Sequence, residues 1–247
     1  MHLMLCSYSD APALWAFEGL RAMGLNSLEL VTTEMLSFTT HWEHRVGNTG
    51  CSLSFKRPDG RTFQDRNIGG VVNRLMAPPA DAVAHAVPSD RDYALQEMSA
   101  FYLSWLQALP GPVLNRPTPQ GLAGRWFHSS EWALLAHQAG LCAPAWRQTD
   151  SDRAEDGYAS MAPAGVASAQ VVVLDDELFG ASAPAEVRSA CVSLAKLSQT
   201  RLLGIDFYET RENPWTFAYA TPTPNLQIGG PPLLRSLARI FENGERQ

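Results

Sequence analysis

The chain has 247 residues, 45% hydrophobic and 18% charged, with a formal net charge of −6. That balance suits a globular protein with a substantial core and excludes a disordered chain. The negative charge, with basic residues scattered rather than clustered, excludes a general attraction to nucleic acid or to an anionic membrane surface.

In chain order, HLMLC reads as a buried strand. Asp10 then caps a helix with Pro12 in its first turn, wound through Leu14, Phe17, Leu20 and Arg21 to a stop at Gly24. NSLELV is a second strand, and a β-α-β opening predicts a parallel sheet. CSLSFKRPDGRTF alternates on both sides of Pro58-Asp59-Gly60 and predicts a β-hairpin. IGGVVNRL is a strand ending on Asn73 and Arg74, and the Pro/Ala-rich stretch 77–88 is a loop. The spacing of Met98, Phe101, Tyr102, Trp105, Leu106 and Leu109 predicts a long helix over 89–109 with Ser89 as its cap. VLNRP is a short strand, and a helix from Ser129 or Ser130 stops at Gly140.

Residues 147–169 turn polar and small, with no evident element. QVVVLDDELF is a strand pair turning at Asp175-Asp176, followed by a helix over 184–198. RLLGIDFYE and WTFAYAT read as paired strands joined at Glu212-Asn213-Pro214, and Pro231 to Phe241 form an amphipathic helix. The four cysteines are far apart and form no C-x-x-C pair, so a disulfide framework and a thiolate zinc site are disfavoured. Cys142 reads as a small buried hydrophobe. No apolar run is long enough to cross a bilayer and the start lacks a basic leader, so a cytoplasmic protein is expected.

Several segments, in order, resemble the ATP-grasp carboxylate–amine ligases, especially the peptide-modifying and glutamate-adding kind. GVVNRL after a hairpin, a long helix containing Glu97, and PVLNRP look like that family's pre-ATP-grasp domain. SSEWALLAHQAGLCAPAW is similar to the helix-Gly-Leu-x-x-Pro that opens its nucleotide-binding part. VVVLDDELFGA resembles the strand V-V-G-D-x-V-F-A. LLGIDFYE followed by WTFAYATPTPN resembles the closing pair GxDF and FLEVNPxP. The resemblance implies an α/β, ATP-grasp-like fold: a pre-ATP-grasp-like parallel α/β lobe over 1–120, then a reduced ATP-grasp-like lobe with an antiparallel sheet over 121–247.

The resemblance also implies a magnesium–ATP site built on hard oxygen ligands, with lysines on a mobile lid. The sequence departs from it there. Asp206 stands at the first metal carboxylate, but Tyr219 stands where a Glu is expected and Thr221 where an Asn is expected. The lid stretch between Pro144 and Val171 is short and contains no lysine. The only lysines are Lys56 and Lys196, and Arg125 and His128 are the basic residues where the family has a lysine before its helix. These departures predict loss of ATP-driven catalysis, no metal and no cofactor. An active protein would need ATP and magnesium.

Arg74 and Arg116 each end a strand after an Asn, where α/β sheets line their ligand crevice. They read either as clamps for a carboxylate or phosphate, or as structural ion pairs with Asp81 or Glu97. Asn73 and Asn115 face the other side of the sheet. With Asp206 and with Asn225 as a polar edge, Arg74 and Arg116 form the candidate ligand-binding set. His41-Trp42-Glu43-His44 fits no zinc spacing and reads as a solvated loop. Asp175-Asp176-Glu177 reads as a solvated turn. Trp126, Trp132 and Trp146 are candidates for covering the surface a lid would protect. The function expected is a binding or accessory protein for a peptide or a partner ligase. The alternatives are a minimal active peptide ligase and, more weakly, a repurposed enzyme with unrelated chemistry. No nucleic acid or membrane partner is expected.

Overall fold

A computed structural model describes residues 1–48, 50–109, 111–143, 167–209 and 213–244. The chain forms two compact units, Met1–Arg125 with Pro231–Gln247, and Trp126–Gly230. The C-terminal segment thus belongs with the first unit, whereas the sequence predicts one lobe over 121–247.

In the first unit, β1 (His2–Cys6), β2 (Leu28–Thr32), β6 (Gly70–Asn73) and β7 (Val113–Leu114) form a parallel sheet in the order β2-β1-β6-β7. Every residue of β1 is buried, as a central parallel strand with both faces covered requires. Helix α1 (Ala11–Ala22) makes the crossover to β2, with Asp10 accepting from the backbone N–H of Ala13. Thr32 caps a short helix, α2 (Thr33–Ser37), that was not anticipated.

A second sheet in this unit has the order β3-β4-β5: β3 (His41–Gly47), β4 (Gly50–Lys56) and β5 (Thr62–Gln64). The β4–β5 hairpin is the expected one. The HWEH stretch, expected as a loop, is instead the edge strand β3, paired with β4 from His41↔Lys56 to Gly47↔Gly50. Trp42 stacks on Phe55 at 4.8 Å and meets Trp105 edge-on at 5.1 Å. Phe55 belongs to the core shared with α3 (Pro88–Ala108), and Trp42 packs half-buried against it; Tyr102, Trp105 and Leu106 are buried as the periodicity predicts. Helix α3 starts with Pro88 after Val87, and no side chain caps it. Ser89 instead donates to Asp90.

Helix α6 (Gly230–Gly244) closes the first unit. Leu233, Leu237 and Phe241 are buried, and Phe241 stacks on His2 at 4.6 Å. Gly70 makes room for that ring, since a Cβ there would lie 2.8 Å from Phe241 Cδ1.

In the second unit, β8 (Ala169–Leu174), β9 (Glu177–Gly180), β10 (Leu202–Tyr208) and β11 (Thr216–Thr221) form an antiparallel sheet in the order β11-β10-β8-β9, as expected. The β8–β9 turn carries Asp175 and Asp176, which pair with Arg201 and Lys196. Helices α4 (Ser129–Gln138) and α5 (Ala185–Leu197) contribute to its core. Trp132, Ala136, Cys191 and Leu194 there join Val171, Val173, Leu203, Ile205, Phe207 and Phe217. Trp132 is therefore a core residue, while Trp126 is exposed. Trp146, Glu212 and most of the stretches 144–171, expected for a lid, and 147–169 lie outside the described residues.

Candidate functional site

The strand-end arginines have structural partners. Arg74, buried after β6, donates from Nε to Asp10 Oδ2 at 2.7 Å and from Nη2 to Asp10 Oδ1 at 2.9 Å. Its partner is thus the α1 cap rather than Asp81 or Glu97. Arg116 is exposed and donates to the carbonyls of Gln107 and Gly111 at 3.2 and 2.9 Å, satisfying backbone acceptors around the end of α3. Asn73, also buried, joins β6 to β7 and the following loop. Its Nδ2 donates to the carbonyls of Asn115 and Leu122, and its Oδ1 accepts from Leu75 N–H. The repeated Asn-Arg therefore carries structural bonds at both copies. Arg74 and Arg116 belong to the first unit, and Asp206 and Asn225 to the second.

A second cluster lies at the carboxyl end of the parallel sheet. Glu34 on α2 accepts from Ser7 Oγ at 3.0 Å and from the Tyr8 N–H at 3.2 Å. Burial pushes its pKa up, but these bonds, with those from its own N–H and from Thr32, outweigh burial and hold it below the usual carboxylate range.

In the second unit, Asp206 sits in a cross-strand row. The register sets it directly opposite Tyr219 on β11 and Gln170 on β8. Flanking Ile205 and Phe207 point into the helix-covered core, so Asp206 occupies the other face. Side chains of directly opposed residues share a face, with Cβ atoms about 4.5–5.5 Å apart. Gln170 Nε2 donates to Asp206 Oδ1 at 3.0 Å. Burial raises the Asp206 pKa, and the Gln170 amide lowers it part of the way back. Among the described residues no basic side chain pairs with Asp206. Tyr219, directly opposite on β11, is 47% exposed.

The segment after β11 folds back over the same sheet. A Cβ at Gly204, two residues before Asp206, would lie 2.8 Å from Pro224 Cβ. Asn225 is exposed and caps the 3-10 turn Leu226–Gly229, its Oδ1 accepting from Gln227 N–H at 3.1 Å. Thr221 Oγ1 lies 3.2 Å from Thr223 Oγ1.

Magnesium on a nucleotide needs several hard oxygen ligands. Around Asp206 the row supplies an amide already bonded to the carboxylate and a phenol, which do not fit that requirement. Among the described residues no three His, Cys, Asp or Glu side chains are grouped to hold a metal ion. His44 bonds Ser104 through Nε2 at 2.9 Å, and Glu43 pairs with Arg45. His128, considered for phosphate contact, accepts from Ser130 N–H as the cap of α4, with Glu131 closing the capping box. Lys196 pairs with Asp176 at 2.7 Å. Cys142 is exposed rather than buried, and its carbonyl accepts from Phe217 N–H. Gln170 escaped the sequence reading because its partner lies 36 residues away.

Known structures share this architecture. The macrocyclase MdnC, bound with precursor peptide MdnA from Microcystis aeruginosa MRC, is similar over 98% of this chain and 100% of its own, with a TM-score of 0.70 and 14% identity. A RiPP-associated ATP-grasp ligase of Chryseobacterium gregarium, in complex with ADP and a leader and core peptide, matches over 99% of this chain and 96% of its own, with a TM-score of 0.68 and 11% identity. The ATP-grasp ligase PsnB complexed with minimal precursor matches over 99% and 98%, with a TM-score of 0.67 and 15% identity. No protein-family model matches the sequence, and no curated protein matches it. The chain has the ATP-grasp fold.

Proposed function

We propose that this chain is an ATP-grasp homologue that binds a peptide, or a partner ligase, as a cytoplasmic accessory protein and has lost ATP-driven ligation. The observation that carries this reading is the Gln170–Asp206–Tyr219 row. It keeps the first carboxylate that the resemblance implies for magnesium but sets a tyrosine where the second belongs. A peptide partner is supported by the structural neighbours, two of them seen with a peptide and one with a minimal precursor. No helix among the described residues is long and apolar enough to cross a membrane.

The second reading, a minimal ligase that activates a peptide carboxylate with ATP, is favoured by the retained Asp206 and by the ordered match to the fold along nearly the whole chain. The two separate in an assay of ADP formation with ATP, magnesium and a mixture of acidic peptides. The accessory reading expects no turnover above a heat-treated control. Turnover that disappears in Asp206→Ala would establish the ligase instead.

A further inference from the structure

We infer that the sheet face carrying Gln170, Asp206 and Tyr219 takes a cationic group, the ammonium or guanidinium of a basic peptide side chain, between the Asp206 carboxylate and the Tyr219 ring. The inference rests on the peptide-binding reading and adds the chemistry of the group bound. It reverses the sign of the ligand expected from the sequence, where two arginines were to receive an anion. Arg74 is bonded to Asp10, and Arg116 to main-chain carbonyls.

An ionised carboxylate has about four acceptor positions. Asp206 receives one hydrogen bond, from Gln170 Nε2, and that donor fixes Oδ1 in place. The other oxygen has no partner among the described residues. A half-buried carboxylate without a counter-ion is unfavourable, and a cation placed against it relieves the cost and adds charge-assisted hydrogen bonds.

The neighbour across the strand pair makes the site selective for an organic cation. Tyr219 has no ring or hydrogen-bonding partner among the described residues, and it is 47% exposed directly opposite Asp206. A cation within about 6 Å of such a ring is attracted by its quadrupole. One carboxylate with one aromatic ring suits an ammonium or guanidinium on an alkyl stem, whose methylenes can lie on the ring. It suits a bare magnesium ion poorly. The net charge of −6 attracts a basic ligand at long range but would not by itself select this face.

The test uses two fluorescein-labelled octapeptides, one alternating Ser and Lys and the other alternating Ser and Gln, titrated by fluorescence polarisation at physiological salt. Wild type is expected to prefer the lysine peptide roughly tenfold. Asp206→Asn, which is isosteric and retains an oxygen for Gln170, should abolish that preference, and Tyr219→Leu should reduce it. Asp176→Asn, equal in net charge to Asp206→Asn, should keep it. Equal binding of both peptides would overturn the cation inference and leave the peptide reading standing. A lysine preference that survives Asp206→Asn would overturn the site. If neither peptide binds, the peptide reading fails, and spermidine followed by NMR decides the cation: shifts at the Asp206 and Tyr219 amides that vanish in Asp206→Asn sustain it, and unmoved amides overturn it.

Discussion

Asp10 performs two tasks at one point of the chain. Its Oδ1 accepts the first free N–H of α1 that it can reach, and both oxygens receive Arg74. The first task is legible in the sequence, because an Asp just before a helical pattern with Pro in the first turn is a cap. The second is not, since Arg74 lies 64 residues away and Asp81 and Glu97 are nearer in sequence. Arg74→Ala leaves the carboxylate partly buried and removes its bidentate partner, which costs about 3–5 kcal/mol. Urea denaturation should therefore show a large fall in midpoint, and loss of about 0.5 kcal/mol or less would mean the pair is screened like a surface one. Asp206 gives a prediction of the opposite sign. Burial raises its folded pKa above the ordinary 3.8, so the folded state binds a proton where the unfolded state does not. Stability from this group is therefore lower above that window than below it. Asp206→Asn should be more stable than wild type at pH 7, with the gain shrinking as pH falls through the raised folded pKa and gone below 3.8; thermal melts across pH 3 to 7 check both the sign and the convergence. The pairing of the strands that carry Asp206 and Tyr219 is legible in the sequence because they are consecutive. Gln170 is not, because its strand reaches β10 from across a helix.

Elements with one strong periodicity were recovered well from sequence. Helix α3 displays its apolar residues every three or four positions, and β10 and β11 carry long apolar runs. Strand β3 was hidden, since HWEHRV alternates histidines and charges rather than apolar and polar residues. Only pairing with β4, and burial of Trp42 against Trp105, make it a strand. Helix α6 was recognised, but not where it packs, because that depends on a slot made by Gly70 far back in the chain. Gly70→Ala would push a methyl into the Phe241 ring and should cost about 1–3 kcal/mol. Adding Phe241→Leu should restore part of that loss if the clash is its cause. A double mutant whose losses simply add, measured by chemical denaturation, would show that the two positions do not meet.

The parallel sheet of the first unit and the antiparallel sheet of the second are both legible in the sequence, because β-α-β order and consecutive hairpin-like strands leave little choice of topology. The placing of the C-terminal segment is not, since the first unit also takes the residues from Pro231 onward. The ATP-grasp fold thus frames a sheet face whose chemistry differs from the metal set implied by the resemblance: Asp206 remains, Tyr219 and Thr221 stand at the other two positions, and Gln170 holds the carboxylate. The most direct measurement is isothermal titration calorimetry of ATP with and without magnesium. The account predicts no magnesium-dependent heat and the same result for wild type and Asp206→Asn. Saturable ATP binding that requires magnesium and is lost in Asp206→Asn would contradict it.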